Sequence, residues 1–240
     1  MTNRSTRPLL IVLFAALGAC ESAAAAPLYP PRWSDQLGLA ALSDIAQEFK
    51  KVDPDQFGDL TQGDVRTTPQ SCEQWTDLHR RGYEAMSTVD AQGDGYALIR
   101  CGTLALLQKV QPAKRSCLRD LALDSKLLSR LPALVASAWS DDAVADVADA
   151  TKHHRSLRAY DSDAHVLASK DKSELQIAEE PGQRVSILIT PQAWGDFNRD
   201  DNDDLAISVI NASEGTAAQA RLLLLTCSTP KAVFTVLPSD

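Results

Sequence analysis

Beyond its first twenty residues the chain has no apolar stretch long enough to span a membrane; the run at 221–225 has only strand length. It lacks any Lys/Arg tract, and its formal net charge is −8. That leaves no basic footprint for nucleic acid and no polybasic patch for anionic lipid. No two cysteines have C-x-x-C spacing, so neither a redox motif nor a zinc ribbon is indicated. H-E-x-x-H, G-x-S-x-G and the P-loop are all missing. Histidines number four, and His153 and His154 are adjacent. On a helix they would project about 100° apart, so they cannot chelate an ion as an i, i+4 pair would. Ser169 to Lys172 fits S-x-x-K, but the S-D-N and K-T-G partners of that chemistry are absent. No internal repeat is visible, which argues against a propeller or another repeat array.

What is present is concentrated near the C-terminus. Residues 195–208 read GDFNRDDNDDLAIS. Asp196, Asp200, Asp201, Asp203 and Asp204 fall within nine residues, offset only by Arg199. Like charges this close repel unless a cation or solvent screens them. Calcium takes six to eight oxygens from carboxylates, side-chain amides and backbone carbonyls. Asp196, Asn198 and Asp200 stand at positions one, three and five of such a loop. Asn202, at seven, would offer its backbone carbonyl, and Asp204, at nine, would close the site. An EF-hand needs Glu at position twelve, which here is Ile207 inside an apolar run. The pattern D-x-N-x-D-x-x-D-D-L before an apolar strand instead resembles the FG-GAP and VCBS repeat loop. That resemblance covers about fourteen residues. It implies a structural calcium ion held by Asp196, Asn198, Asp200, Asn202 and Asp204. One departure is Asp201, where the family has Gly at position six with positive φ. Asp tolerates that region better than most residues, so weaker or slower binding is expected. The alternative is a solvated acidic turn between strands.

The N-terminus carries a second signal. Arg4 and Arg7 precede an uncharged apolar run at 9–19, too short to span a bilayer and of the length of a secretory signal core. Leu17-Gly18-Ala19-Cys20 resembles the bacterial lipobox, which implies cleavage before Cys20 and acylation of that residue. Several acyl chains anchor stably where one does not. Glu21 follows, where inner-membrane retention would have Asp, so an outer-membrane address facing the periplasm is favoured. The alternative is cleavage within Ala23 to Ala26 and release as a secreted protein, though Pro27 makes that cut less comfortable. Without Arg4 and Arg7 the net charge moves from −8 to −10.

After Cys20 come Cys72, Cys101, Cys117 and Cys227. Four cysteines in an oxidising compartment suggest up to two disulfides with three connectivities. Cys72 and Cys101 fall on neighbouring predicted helices, so that pair is favoured, leaving Cys117 with Cys227.

Hydropathy patterning divides the chain into a signal peptide at 1–19, a lipid-anchored tether at 20–34, a helical region at 35–160 and a β-rich region at 161–240. Helices are predicted at 35–51, from Thr68-Pro69 to His79, and at 96–110, 116–131, 132–138 and 140–158. The acidic stretch Asp90 to Tyr96 is predicted as a turn before a helix. Strands are predicted at 174–178, 184–190, 205–211, 219–226 and 232–237. Asp161, Asp163 and His165 read as a polar linker rather than a metal cluster. The expected fold is α+β, with a helical N-terminal half packed on a small, mainly antiparallel C-terminal sheet. The expected function is a non-catalytic envelope lipoprotein with a binding or scaffolding role. Its partners would be the membrane, through the lipid, and an envelope protein or the cell wall. A hydrolase whose site has no sequence motif is the rival.

Overall fold

The computed structural model describes residues 28–170, 173–180, 182, 186–212 and 218–238. The predicted signal peptide, Cys20 and the start of the tether lie outside the described residues, as does most of the loop following Ser169. The first half contains β1 (Arg32–Trp33), α1 (Ile45–Lys50), β2 (Leu60–Gln62), β3 (Val65–Thr67), α2 (Cys72–Arg80), β4 (Glu84–Ala85) and α3 (Thr88–Leu107). Then come α4 (Asp141–Lys152) and α5 (Leu157–Tyr160). The last third supplies β5 (His165–Lys170), β6 (Glu174–Ala178), β7 (Ile187–Gly195), β8 (Asp204–Ala212), β9 (Ala218–Thr226) and β10 (Thr235–Leu237). The protein is α+β with mainly antiparallel sheets.

The main sheet has the order β10-β9-β8-β7-β6-β5, and β1 adds to β7. Strand residues alternate between faces, and register decides which side each one covers. Leu205, Ile207 and Val209 pair with Leu225, Leu223 and Arg221. With Ile187, Ile189, Leu175 and Ile177 they build one core beneath the segment around Leu127, Leu131, Val147 and Leu157. Intervening residues Ala193, Ala206 and Leu224 face the other way and pack with Trp75, Leu78, Leu104 and Leu107 of α2 and α3. Both faces of the central strands are therefore buried, which suits their dense runs of Leu, Ile and Val.

Pro191 sits in a central strand, where a missing N–H would normally break the ladder. The register shifts between Pro191 and Ala193, so a bulge absorbs it. Past that bulge β7 pairs with β1, and Ser34 N–H donates to the Gln192 carbonyl at 2.8 Å.

The helices begin as their sequences direct. Ser71 Oγ accepts from Gln74 N–H at 3.2 Å and caps α2, whose Cys72, Trp75 and Leu78 point inward. Ser87 caps α3 in the same way, from Asp90 N–H at 3.1 Å. The predicted turn from Asp90 to Tyr96 is corrected: it is the first half of α3. Glycine weakens a helix, yet here it permits contact. A Cβ on Gly102 would stand 2.6 Å from a Leu222 methyl, so α3 lies close on β9 only without one.

Other predicted helices are also corrected. Residues 35–44 form two 3-10 turns before α1. The stretch 116–131 keeps only a 3-10 turn, Ser125–Ser129. Residues 132–138 keep Ala133–Val135. Arg221 explains the latter: it donates to the carbonyls of Leu134 (2.6 Å), Val135 (3.3 Å) and Ala136 (3.2 Å), and to Asn211 Oδ1 (2.7 Å). Carbonyls spent on a guanidinium from the sheet cannot close helical rings. The N-terminal half also carries strand: β3-β2-β4 make a separate small sheet.

Candidate functional site

The predicted calcium loop connects β7 to β8, the two central strands. It opens at Gly195, whose φ of 153° and close approach to Val110 exclude a side chain: a Cβ would lie 2.3 Å from Val110 Cγ2. Asp196 is 2% exposed. Its Oδ1 accepts from Arg199 N–H (2.6 Å) and Asp200 N–H (3.1 Å), and its Oδ2 from Asp201 N–H (2.9 Å). One carboxylate thus gathers three successive amides and winds the loop tightly. Asn198 Oδ1 accepts from Asp200 N–H at 3.1 Å, and Asp200 Oδ1 from Asn202 N–H at 2.8 Å. Two residues pay in backbone strain: Arg199 has φ 65° and Asp201 φ 68°. The sixth residue of the loop, Asp201, is therefore left-handed.

Asp204 closes the loop and is 0% exposed. Its Oδ2 accepts from Phe197 N–H at 3.1 Å, while Oδ1 is buried without a hydrogen-bond partner. Burial pushes its carboxyl up to about 6, and the charges of Asp200 and Asp196 push the same way. The nearby Thr226 hydroxyl and the Phe197 amide pull against them. Asp200 is also pushed upward by burial, but hydrogen bonds from Asn202 and Asn198 and the Arg115 charge bring it below the ordinary carboxylate value. A buried carboxylate oxygen without a donor is costly, and a cation removes that cost. The donor set of Asp196, Asn198, Asp200, the Asn202 carbonyl and Asp204 is oxygen only, which fits calcium. Among the described residues no three His, Cys, Asp or Glu side chains stand together as a metal site by themselves.

The sequence reading missed what fastens this loop. Gln111 and Asp196 exchange both backbone hydrogen bonds at 3.0 Å. Lys114 and Arg115 N–H groups donate to the Asp201 carbonyl, and Asp203 N–H donates to the Arg115 carbonyl at 2.8 Å. Lys114 Nζ pairs with Asp201 Oδ2 at 3.0 Å, directing that carboxylate outward. Asp203, 1% exposed, accepts from Ser116 Oγ at 2.8 Å and from Arg32 at 3.5 Å, and burial raises its pKa. Only the tertiary path of 111–116 along the loop reveals these partners; no local motif marks them.

Cys72 and Cys101 form one disulfide, with Cα atoms 5.0 Å apart, and Cys117 and Cys227 the other, at 6.2 Å. The first joins α2 to α3; the second ties the segment after the loop's fastening strand to the end of β9. Asp161, Asp163 and His165 form a turn, in which Asp161 Oδ1 accepts from the N–H groups of Asp163 and Ala164. His79 meets Asp94 at 2.7 Å beside Trp75, whose Nε1 donates to the same oxygen.

A cavity of about 810 Å³ lies elsewhere, and none of residues 195–204 lines it. Its floor is Leu188, Thr190, Gln192, Ser208 and Ile210 of β7 and β8; α3 forms one wall. No family model, characterised protein or solved structure matches this chain.

Proposed function

We propose that the protein is a non-catalytic, lipid-anchored envelope protein with a binding role, its central strands held in register by a structural calcium ion. The observation that carries the ion is Asp204: a fully buried carboxylate at the closing position of the loop, with one oxygen unpartnered. Calcium there would supply the positive charge that Asp196, Asp200 and Asp204 otherwise lack. Asp196 would keep the loop wound, Asn202 would give its carbonyl, and Asp204 would couple the ion to β8. The finer fold reading, an N-terminal helical layer resting on the sheet, is supported by the packing of α3 on β9. That layer would leave the loop at one end of the sheet and the cavity between sheet and helices.

The cavity's own chemistry favours binding over hydrolysis. Asp59 is held below the ordinary carboxylate value by a hydrogen bond from Thr68 and then by Arg66, and Asp90 by one from Ser87. Neither is the raised acid that general acid catalysis uses. Cys101, which also lines the cavity, is locked in its disulfide.

The anchoring half of this reading rests on Arg4, Arg7 and Leu17-Gly18-Ala19-Cys20. The native protein is expected in the membrane fraction with an acylated N-terminal cysteine, and Cys20→Ser is expected to release or mis-process it. A native N-terminus at Ala26 or Pro27 with no acyl mass refutes the anchor.

A further inference from the structure

We infer that the cavity between α3 and the sheet is a binding site for a small cationic amphiphile: an amine or ammonium head beside an apolar body. This inference stands apart from the ion, since the two sites share no residue.

The floor carries the argument. Gln192 is 3% exposed and lines the cavity. Its Nε2 donates to the Thr190 carbonyl at 3.3 Å and to Ser208 Oγ at 3.0 Å. A carbonyl can only accept, so the amide orientation is fixed. The Gln192 Oε1 is then the end left over. It accepts no hydrogen bond from the described residues, and it is not sealed from the cavity space. An amide oxygen left without a donor on a cavity-lining residue can accept from a ligand's N–H. Thr190, 7% exposed, lines the same floor.

Charge selects the donor. Among the described residues that line the cavity, Asp55, Asp59, Asp90 and Glu174 face a single cation, Arg100. Arg100 is already committed to Glu48 Oε2 at 3.0 Å and the Leu37 carbonyl at 3.3 Å. Asp59 has Arg66 as its own partner, and Glu174 Oε1 accepts from Gln176 Nε2 at 2.7 Å. Asp90 accepts from the Ser87 hydroxyl and Asp59 N–H and also feels the Arg66 charge. An anion would thus meet carboxylates without a free guanidinium, whereas an ammonium would be attracted.

The apolar body has its own surface. Val89 and Tyr96 on α3 line the cavity although they are 78% and 70% exposed, so they form an apolar lip. Leu188 and Ile210 continue it on the floor. A cavity of about 810 Å³ is of the size that encloses most of a small ligand.

The test is fluorescence titration of the full chain carrying Cys20→Ser, which needs no detergent, in calcium-containing buffer. The probes are dansylcadaverine, a cationic amphiphile, and dansylglycine, its anionic counterpart. Dansylcadaverine is expected to brighten and shift to the blue with saturable one-to-one binding, and dansylglycine to bind at least about tenfold more weakly. Gln192→Leu is expected to weaken dansylcadaverine at least about tenfold, since a hydrogen bond to a charged donor is lost. Because Gln192 is buried, Tyr96→Ala at an exposed position and Glu174→Gln at a half-buried one serve as lining variants with unchanged melting temperature, and each is expected to weaken binding severalfold. Absence of saturable dansylcadaverine binding, equal binding of dansylglycine, or full affinity in all three variants would overturn the proposal.

Discussion

Removing the Cys117–Cys227 disulfide is expected to cost more than removing Cys72–Cys101, and the loop lengths say by how much. The bonds span 110 and 29 residues. In the chain-entropy account, closing loops of those lengths lowers the unfolded-state entropy enough to give about 4.8 and about 3.6 kcal/mol at 25 °C. The difference, about 1 kcal/mol, is the robust part, because strain and residual unfolded structure shift both absolute values. Packing does not reverse the order. Cys101 and Cys72 are buried in the α2–α3 core, and Cys227 is buried against the Leu225 and Phe234 core. The long bond also fixes a segment with few other holds: between Arg115 and the Ser125–Ser129 turn the chain has no regular element. The double variants Cys117→Ala/Cys227→Ala and Cys72→Ala/Cys101→Ala would be compared by urea unfolding in calcium-containing buffer. Midpoints and slopes are both read, since a changed slope reports a changed unfolded state. A larger loss for Cys72→Ala/Cys101→Ala refutes the reasoning. So does a loss below about 1 kcal/mol for the long bond, or four freely alkylated thiols in unreduced, denatured protein from the envelope.

Arg221→Ala is expected to destabilise by about 3 kcal/mol, because three carbonyls and Asn211 Oδ1 lose one buried charged donor; chemical denaturation with a loss below about 1 kcal/mol would count against it. Asp59 and Asp90 have folded pKa values below their unfolded ones, so their stabilisation is present above about pH 4 and disappears as pH falls further. Unfolding free energy measured against pH is expected to fall on the acid side, with a shallower fall in Asp59→Asn; an identical acid limb in that variant contradicts the assignment.

The sheet was legible in part: β7, predicted at 184–190, runs Ile187–Gly195, because a bulge after Pro191 lets the strand continue. β6, β8 and β9 lie within a residue or so of their predicted bounds, because runs such as 205–211 and 219–226 are bounded by turn residues and dense in Leu, Ile and Val. β1 to β4 are two or three residues long and exist through partners such as Trp194 and Ala85, which no local window contains. Residues 116–131 and 132–138 looked helical because apolar residues recur, but Arg221 claims the carbonyls of Leu134, Val135 and Ala136. At the loop, Asp196 and Asp204 stand at its two ends as the spacing expected, and Asp201 has positive φ. The spacing could not find Ser116, Arg32 or Gln111, which arrive through the fold. The cavity left no trace at all: Thr190, Gln192 and Ser208 sit on β7 and β8 as ordinary strand residues, and only the α3 layer turns that face into a cleft.

Calcium binding to the folded chain tests the central claim most directly. Calorimetric titration of metal-free protein is expected to show one site, and calcium at about a hundred times its dissociation constant to add about 2.7 kcal/mol of stability that chelator removes. Magnesium is expected to substitute poorly, because it demands a small octahedral site and dehydrates reluctantly. Asp200→Ala is expected to abolish most of the gain while folding normally without calcium, since it also relieves repulsion with Asp196 and Asp204. Identical melts with excess calcium and with chelator, together with no binding heat, would contradict the account and leave residues 195–204 as an acidic surface turn.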